Sequence, residues 1–107
     1  MRTFQLRTYT LKTDDALTRY VETIYPRHLC SMPRFGVELH GFWTKRGDDP
    51  KRLFVLVSYA DSDGPDEVEE RYLESVDLAD DVKGFDVADI IGTESTILIP
   101  GVNSPLK

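Results

Sequence analysis

The sequence predicts an α+β fold, a four-stranded antiparallel sheet with two helices on one face, in the order β-α-β-β-α-β. Three observations predict it. Two strand-like segments, Phe4-Gln5-Leu6-Arg7-Thr8-Tyr9-Thr10-Leu11 and Gly36-Val37-Glu38-Leu39-His40-Gly41-Phe42-Trp43-Thr44-Lys45, each stand beside a helical stretch. Residues 51–60 are nearly continuous in apolar side chains, as a strand covered on both faces should be. The first, third and fourth strands carry apolar residues on both faces, although two helices can cover only one.

The first strand spans about residues 3–11, with Phe4, Leu6, Thr8 and Thr10 on one face and Gln5, Arg7, Tyr9 and Leu11 on the other. Thr13-Asp14-Asp15 supplies a helix cap and a negative first turn. Leu17, Tyr20, Val21, Ile24 and His28 follow at helical spacing. Pro26 interrupts them and predicts a kink or break between Tyr25 and Arg27, with a short helix restarting at 26–32. The second strand spans about 36–45 and forms a hairpin with the third across the turn cluster Arg46-Gly47-Asp48-Asp49-Pro50. Asp63-Gly64-Pro65 opens the second helix, whose inner stripe is Val68, Tyr72, Leu73, Val76 and Ala79. The fourth strand spans about 88–99, and the tail from Pro100 is irregular. This order is the ferredoxin-like arrangement. The simplest cover for the second sheet face is the same face of another copy, giving a homodimeric α+β barrel.

The 107 residues are the usual size of one domain, so residues 1–107 are read as a single unit. No apolar run approaches the ~18 residues that span a bilayer, and no signal-peptide pattern opens the chain. The only cysteine, Cys30, excludes an intrachain disulfide and fits a cytoplasmic location. The formal net charge is −6, and residues 61–81 hold ten acids against Arg71 alone. Such a chain offers no basic face for nucleic acid. The acidic run reads as a solvated helix face.

The first strand, His40-Gly41-Phe42-Trp43-Thr44, Phe54-Val55-Leu56-Val57-Ser58-Tyr59-Ala60-Asp61 and Glu94-Ser95-Thr96-Ile97-Leu98-Ile99-Pro100 together resemble the NIPSNAP family of dimeric α+β barrel proteins. The resemblance covers nearly the whole chain. It implies the ferredoxin-like fold, a dimer, and kinship with small barrels that include cofactor-free monooxygenases, cyclases and isomerases. It implies no catalytic set.

The residues exclude several chemistries. His28, His40 and Cys30 give no converging metal-ligand spacing. Cys30 lies two residues after His28, on another helix side, which argues against a Cys–His nucleophile. No Gly-rich phosphate loop or dinucleotide fingerprint is present, so no organic cofactor is expected. A haem held by one histidine is a third, minor reading. What remains is an apolar pocket between sheet and helices. Tyr20 and His28 share one helix stripe facing it, and His28 is the group that titrates near neutrality. Trp43 is expected on the helix-facing side with Val37 and Leu39, as core or as a pocket wall, opposite His40 and Phe42. A one-residue shift in register would exchange them. Arg7 and Tyr9 share a face of the first strand. Asp89 and Glu94 lie on the fourth strand, and a buried Arg7 requires a carboxylate or the dimer partner, so Arg7 is read first as half of a structural ion pair and alternatively as an anchor for a ligand carboxylate.

Two functions compete on these residues. One is an enzyme acting on an apolar, aromatic or polyketide-like molecule, with His28 and Tyr20 catalytic and Trp43, Arg7 and Tyr9 binding. The other is a binding or interaction module without turnover. Several polar groups meeting in one pocket favour the first. His28 and Trp43 on opposite sides of the sheet favour the second.

Overall fold

A computed structural model describes residues 2–47, 50–60 and 64–106. Asp48, Asp49, Asp61 and Asp63, which belong to the expected turn cluster and acidic run, lie outside the described residues.

Four strands, β1 (Thr3–Leu11), β2 (Val37–Thr44), β3 (Lys51–Tyr59) and β4 (Ile90–Leu98), form one antiparallel sheet in the order β2-β3-β1-β4. Gln5, Arg7 and Tyr9 of β1 stand beside Val57, Val55 and Leu53 of β3 on the side that the helices cover. Leu53, Val55, Val57 and Tyr59 are fully buried there and anchor the core.

The first helical region runs unbroken from Asp14 to Phe35, as α1 (Asp14–Arg19), a π-helical turn (Tyr20–Ile24), α2 (Tyr25–Ser31) and a 3-10 turn (Met32–Phe35). Thr13 caps it by accepting from the Ala16 N–H at 3.0 Å. The break expected between Tyr25 and Arg27 does not occur. Tyr25 is helical, and its N–H reaches back five residues to the Tyr20 carbonyl. The helix widens one turn earlier, because a proline ring crowds the carbonyl four residues before it, here that of Glu22. α2 then begins with Pro26 in its first turn.

The second helical region is two short helices, α3 (Pro65–Leu73) and α4 (Val76–Asp81), rather than one. Ser75 divides them by accepting from the Leu78 N–H at 3.1 Å and capping α4. The division turns Leu73, Val76 and Ala79 outward, while Val68 and Tyr72 stay buried. A 3-10 turn at Val87–Asp89 precedes β4.

A bulge in β2 corrects the expected face of Trp43. Leu39 stands opposite Val57, but Gly41 stands opposite Leu56, so His40 is the extra residue. Beyond it the alternation reverses. Phe42 faces the helices and packs on Tyr25, with ring centroids 5.4 Å apart. Trp43 lies on the open face, 54% exposed, with His40, Phe4 and Ser58. It is neither core nor pocket wall.

Candidate functional site

Between the helix-facing side of β1 and β4 and the helices lies a cavity of about 320 Å³. Arg7 and Tyr9 reach it from β1, Tyr20 from the π turn, His28 from α2 and Tyr72 from α3. Met32, Leu78, Val82, Phe85 and Ile90 make its apolar wall. The structure therefore brings together four of the five sequence-derived candidates, Tyr20, His28, Arg7 and Tyr9, and leaves out Trp43. Widening the helix at Tyr20–Ile24 has not rotated His28 away from Tyr20.

His28 is 4% exposed, and its Nδ1 lies 2.9 Å from Asp81 Oδ2. The same oxygen accepts from the Tyr72 hydroxyl at 2.9 Å and from the Ser31 hydroxyl. The Ser31 and Tyr72 hydroxyls are 2.7 Å apart. Burial would raise the Asp81 carboxyl, but the hydrogen bonds from Ser31, His28 and Tyr72 outweigh it and hold the group below its ordinary value. Asp81 is thus an ionised acceptor; the Tyr72 hydroxyl that donates to it also lies 2.6 Å from His28 Nδ1, and with Nδ1–H assigned as the donor to Asp81 the His28 lone pair is on Nε2. Burial lowers the His28 pKa and prevails over the hydrogen bond and charge of Asp81, so the ring is neutral near pH 7. Nε2 makes no hydrogen bond among the described residues. A neutral imidazole backed by a carboxylate, with Nε2 unbonded among the described residues, can act as a general base.

Arg7 is 7% exposed. Its Nε donates to Gln5 Oε1 at 2.8 Å and its Nη2 to the Tyr59 hydroxyl at 2.6 Å. Tyr59 in turn donates to Gln5 Oε1 at 2.8 Å. All of these partners are neutral. The expected ion pair with Asp89 or Glu94 is not formed. In the register Glu94 stands opposite Thr8 and Ser95 opposite Arg7, so Glu94 borders the cavity without pairing with Arg7, and Asp89 precedes β4.

Tyr9, Tyr20 and Tyr25 pack edge to face, with centroids 5.2–5.9 Å apart. Tyr20 also stacks on Phe85 at 5.2 Å. Burial pushes the Tyr20 and Tyr25 hydroxyls far above their ordinary value, so both remain protonated donors. The Tyr25 hydroxyl is the one buried side-chain polar atom without a hydrogen-bond partner among the described residues.

Sequence reasoning missed Asp81, Ser31 and Tyr72 as site residues. Asp81 is the last of ten acids read as one solvated face, and it is 8% exposed. No local pattern separates it from the rest, since His28 is 53 residues away. Tyr72 was legible as inner stripe but not as a hydroxyl donor. Among the described residues no group of three His, Cys, Asp or Glu could hold a metal ion, and no helix is long and apolar enough to cross a membrane. Cys30 is exposed.

The family model described as NIPSNAP matches residues 4–105. A solved NIPSNAP family protein from Agrobacterium tumefaciens strain C58 superposes with a TM-score of 0.80 at 17% identity, covering 100% of both chains. A putative antibiotic biosynthesis monooxygenase from Nitrosomonas europaea has a TM-score of 0.59 at 15% identity, over 95% of this chain and 93% of that one. A dimeric ferredoxin-like protein from an uncultured marine organism has a TM-score of 0.57 at 10% identity, over 94% and 90%. These likenesses show the α+β, ferredoxin-like fold. No curated protein matches the chain.

Proposed function

The chain belongs to the NIPSNAP family, and from the geometry of its cavity we propose that it binds a small, largely apolar molecule there and moves a proton on it. One observation carries the reading: His28, oriented by Asp81, lines an apolar cavity with Nε2 unbonded among the described residues. The step is of the isomerase or cyclase type. Nε2 takes a proton from a carbon next to a carbonyl, the C–H bond breaks, and its electron pair moves onto the carbonyl oxygen. The imidazolium returns the proton at another carbon, so no oxidant is consumed. Tyr20, protonated and lining the same cavity, is the donor available to a developing oxyanion. A cavity of about 320 Å³ is at the small end of ligand sites, ~300–1,000 Å³.

The experiment is deuterium incorporation in D₂O, followed by NMR over a panel of small enolisable aromatic and aliphatic ketones and keto acids. The wild-type protein should exchange at least one class faster than buffer, and His28→Gln should lose about 10²–10⁴-fold. Exchange no faster than buffer across the panel, or unchanged in His28→Gln, refutes the proposal.

A second reading, a binding module without turnover, is favoured by the placement of Trp43 and His28 on opposite sides of the sheet. The aromatic wall that Trp43 was expected to supply comes instead from Phe85 and Tyr72, so the convergence of polar groups survives its loss. Native mass spectrometry of protein from its producing cells separates the readings, since a module keeps its ligand chemically unchanged.

A homodimer through the open sheet face belongs to the same proposal. Leu6, Phe54 and Leu56 are only half-buried there, and Trp43 is exposed. Its likeness to a dimeric ferredoxin-like protein supports this arrangement.

A further inference from the structure

Arg7 holds a full charge in the core and forms no ion pair among the described residues. It is 7% exposed and, among the described residues, hydrogen-bonds only to the neutral groups Gln5 and Tyr59. Removing an ion from water costs several kcal/mol unless an opposite charge and hydrogen bonds compensate. A guanidinium has five N–H donors in a planar fork, and Gln5 and Tyr59 engage two of them. The Nη1 edge makes no hydrogen bond among the described residues, while the side chain lines the cavity. Gln5 and Tyr59 also bond each other, so the guanidinium is fixed from behind. A fork held rigid, charged and unpaired at a cavity wall has the geometry that bidentate carboxylate recognition requires.

We propose that Arg7 is the anchor for a carboxylate on the ligand, and that the ligand class is a small, mainly apolar molecule bearing one carboxylate. This rests on the reading of the cavity as a small-molecule site and names what enters it. The apolar part of the lining agrees. Met32, Leu78, Val82, Phe85 and Ile90 suit a hydrocarbon or aromatic body. His28 lines the same cavity, and the Arg7 charge is one of the influences lowering its pKa. A carboxylate held on Arg7 would leave the body of the ligand against His28 and the aromatic wall. Glu69, from α3, and Glu94, from β4, also line the cavity, and the Glu69 charge reaches Arg7 without forming an ion pair. These two acids discourage a second carboxylate on the ligand, which is why the class carries one.

The test uses two probes of equal shape, trans-cinnamate and its neutral amide, titrated into the full chain by calorimetry and by NMR of the arginine side-chain nitrogens. The acid should bind about ten- to a hundred-fold more tightly than the amide and should shift the Arg7 guanidinium signals, which the amide leaves in place. Arg7→Met should abolish that preference. Arg7→Lys, which keeps a point charge but not the fork, should retain part of it. Glu69→Gln should tighten binding of the acid. Equal affinities for acid and amide, absence of binding by acids across a series from benzoate to cinnamate at millimolar concentration, or binding of the acid without movement of the Arg7 signals overturns the proposal. The wild-type arms decide even where Arg7→Met fails to fold. If acids bind through Arg7 while no ketone or keto acid exchanges deuterium, the proton-transfer reading falls and the anchor stands. If neutral ketones exchange but acids are not preferred, the anchor alone falls.

Discussion

The two faces of β1 are opposite in character, and each lies where its composition would not place it. Gln5, Arg7 and Tyr9 look like a solvent face, yet they point under the helices. Phe4, Leu6 and Thr8 look like a core face, yet they point to the side that no helix covers. The covered face can hold polar groups because it supplies partners: Gln5 and Tyr59 for Arg7, and Asp81, Ser31 and Tyr72 across from His28. The open face is apolar because its cover has to come from elsewhere. A core that spends its area on a polar network around a cavity has less apolar burial to hold it together, and a domain of this size has little to spare. The proposed dimer restores on one face what the site removes from the other.

The largest expected break in this contrast is at Asp81. Asp81→Ala removes the acceptor of three buried donors, His28 Nδ1, Ser31 and Tyr72. Denaturant unfolding should show a loss of about 3 kcal/mol, and a loss below about 1 kcal/mol would mean that the network is not intact in solution. The same pair sets a pH dependence. The folded pKa of His28 is depressed below 6.5, so between the two values the unfolded chain binds more protons. Its contribution is fully present above the unfolded pKa and is lost as pH falls through the folded one. Asp81, also depressed, acts in the same direction at lower pH. Wild-type stability should therefore fall on acidification from pH 7, and His28→Gln should flatten the first part of that fall. An unchanged slope in His28→Gln would refute the buried neutral histidine.

The sequence made the fold legible through long-range regularities. Apolar periodicity, paired turns and two-sided apolar strands each report on a whole element. The helix stripe also placed Tyr20 and His28 correctly, because helical periodicity survived the widened turn at Tyr20–Ile24. The rest depends on single residues. One extra residue at His40 exchanged Phe42 for Trp43 at the helix-facing side. Asp81 could not be told from the other acids because burial is set by packing against α2, far away in sequence. Whether Arg7 finds a carboxylate depends on which β4 residues share its face, and the register puts Ser95 beside it.

A smaller effect is expected on the other face. Trp43→Ala should weaken the proposed dimer at least about tenfold, as loss of a central aromatic anchor does. It should leave monomer stability within about 0.5 kcal/mol, because the side chain is 54% exposed. Sedimentation velocity across micromolar dilutions checks the first part, and denaturant unfolding checks the second. A wild-type protein that stays monomeric at these concentrations refutes the dimer, and a Trp43→Ala dimer of wild-type strength moves its interface elsewhere.

The smallest effect sharpens the contrast most. The Trp43 ring lies over Gly41, and a Cβ built at Gly41 would meet the indole Cη2 and Cζ2 at 2.7 Å. Those atoms are the far end of an exposed side chain, so Gly41→Ala should swing the indole aside rather than deform the strand. The strand gains from losing a glycine while Trp43 loses its seat, and the net change in monomer stability should stay within about 1 kcal/mol. Dimer affinity should fall, by less than in Trp43→Ala, because the ring is displaced and not removed. Carboxylate binding in the cavity should not change at all, since Gly41 and Trp43 stand on the face away from Arg7 and His28. If Gly41→Ala altered cavity binding, the strand bulge at His40 would have to transmit strain through the sheet, and the two faces would be one coupled system.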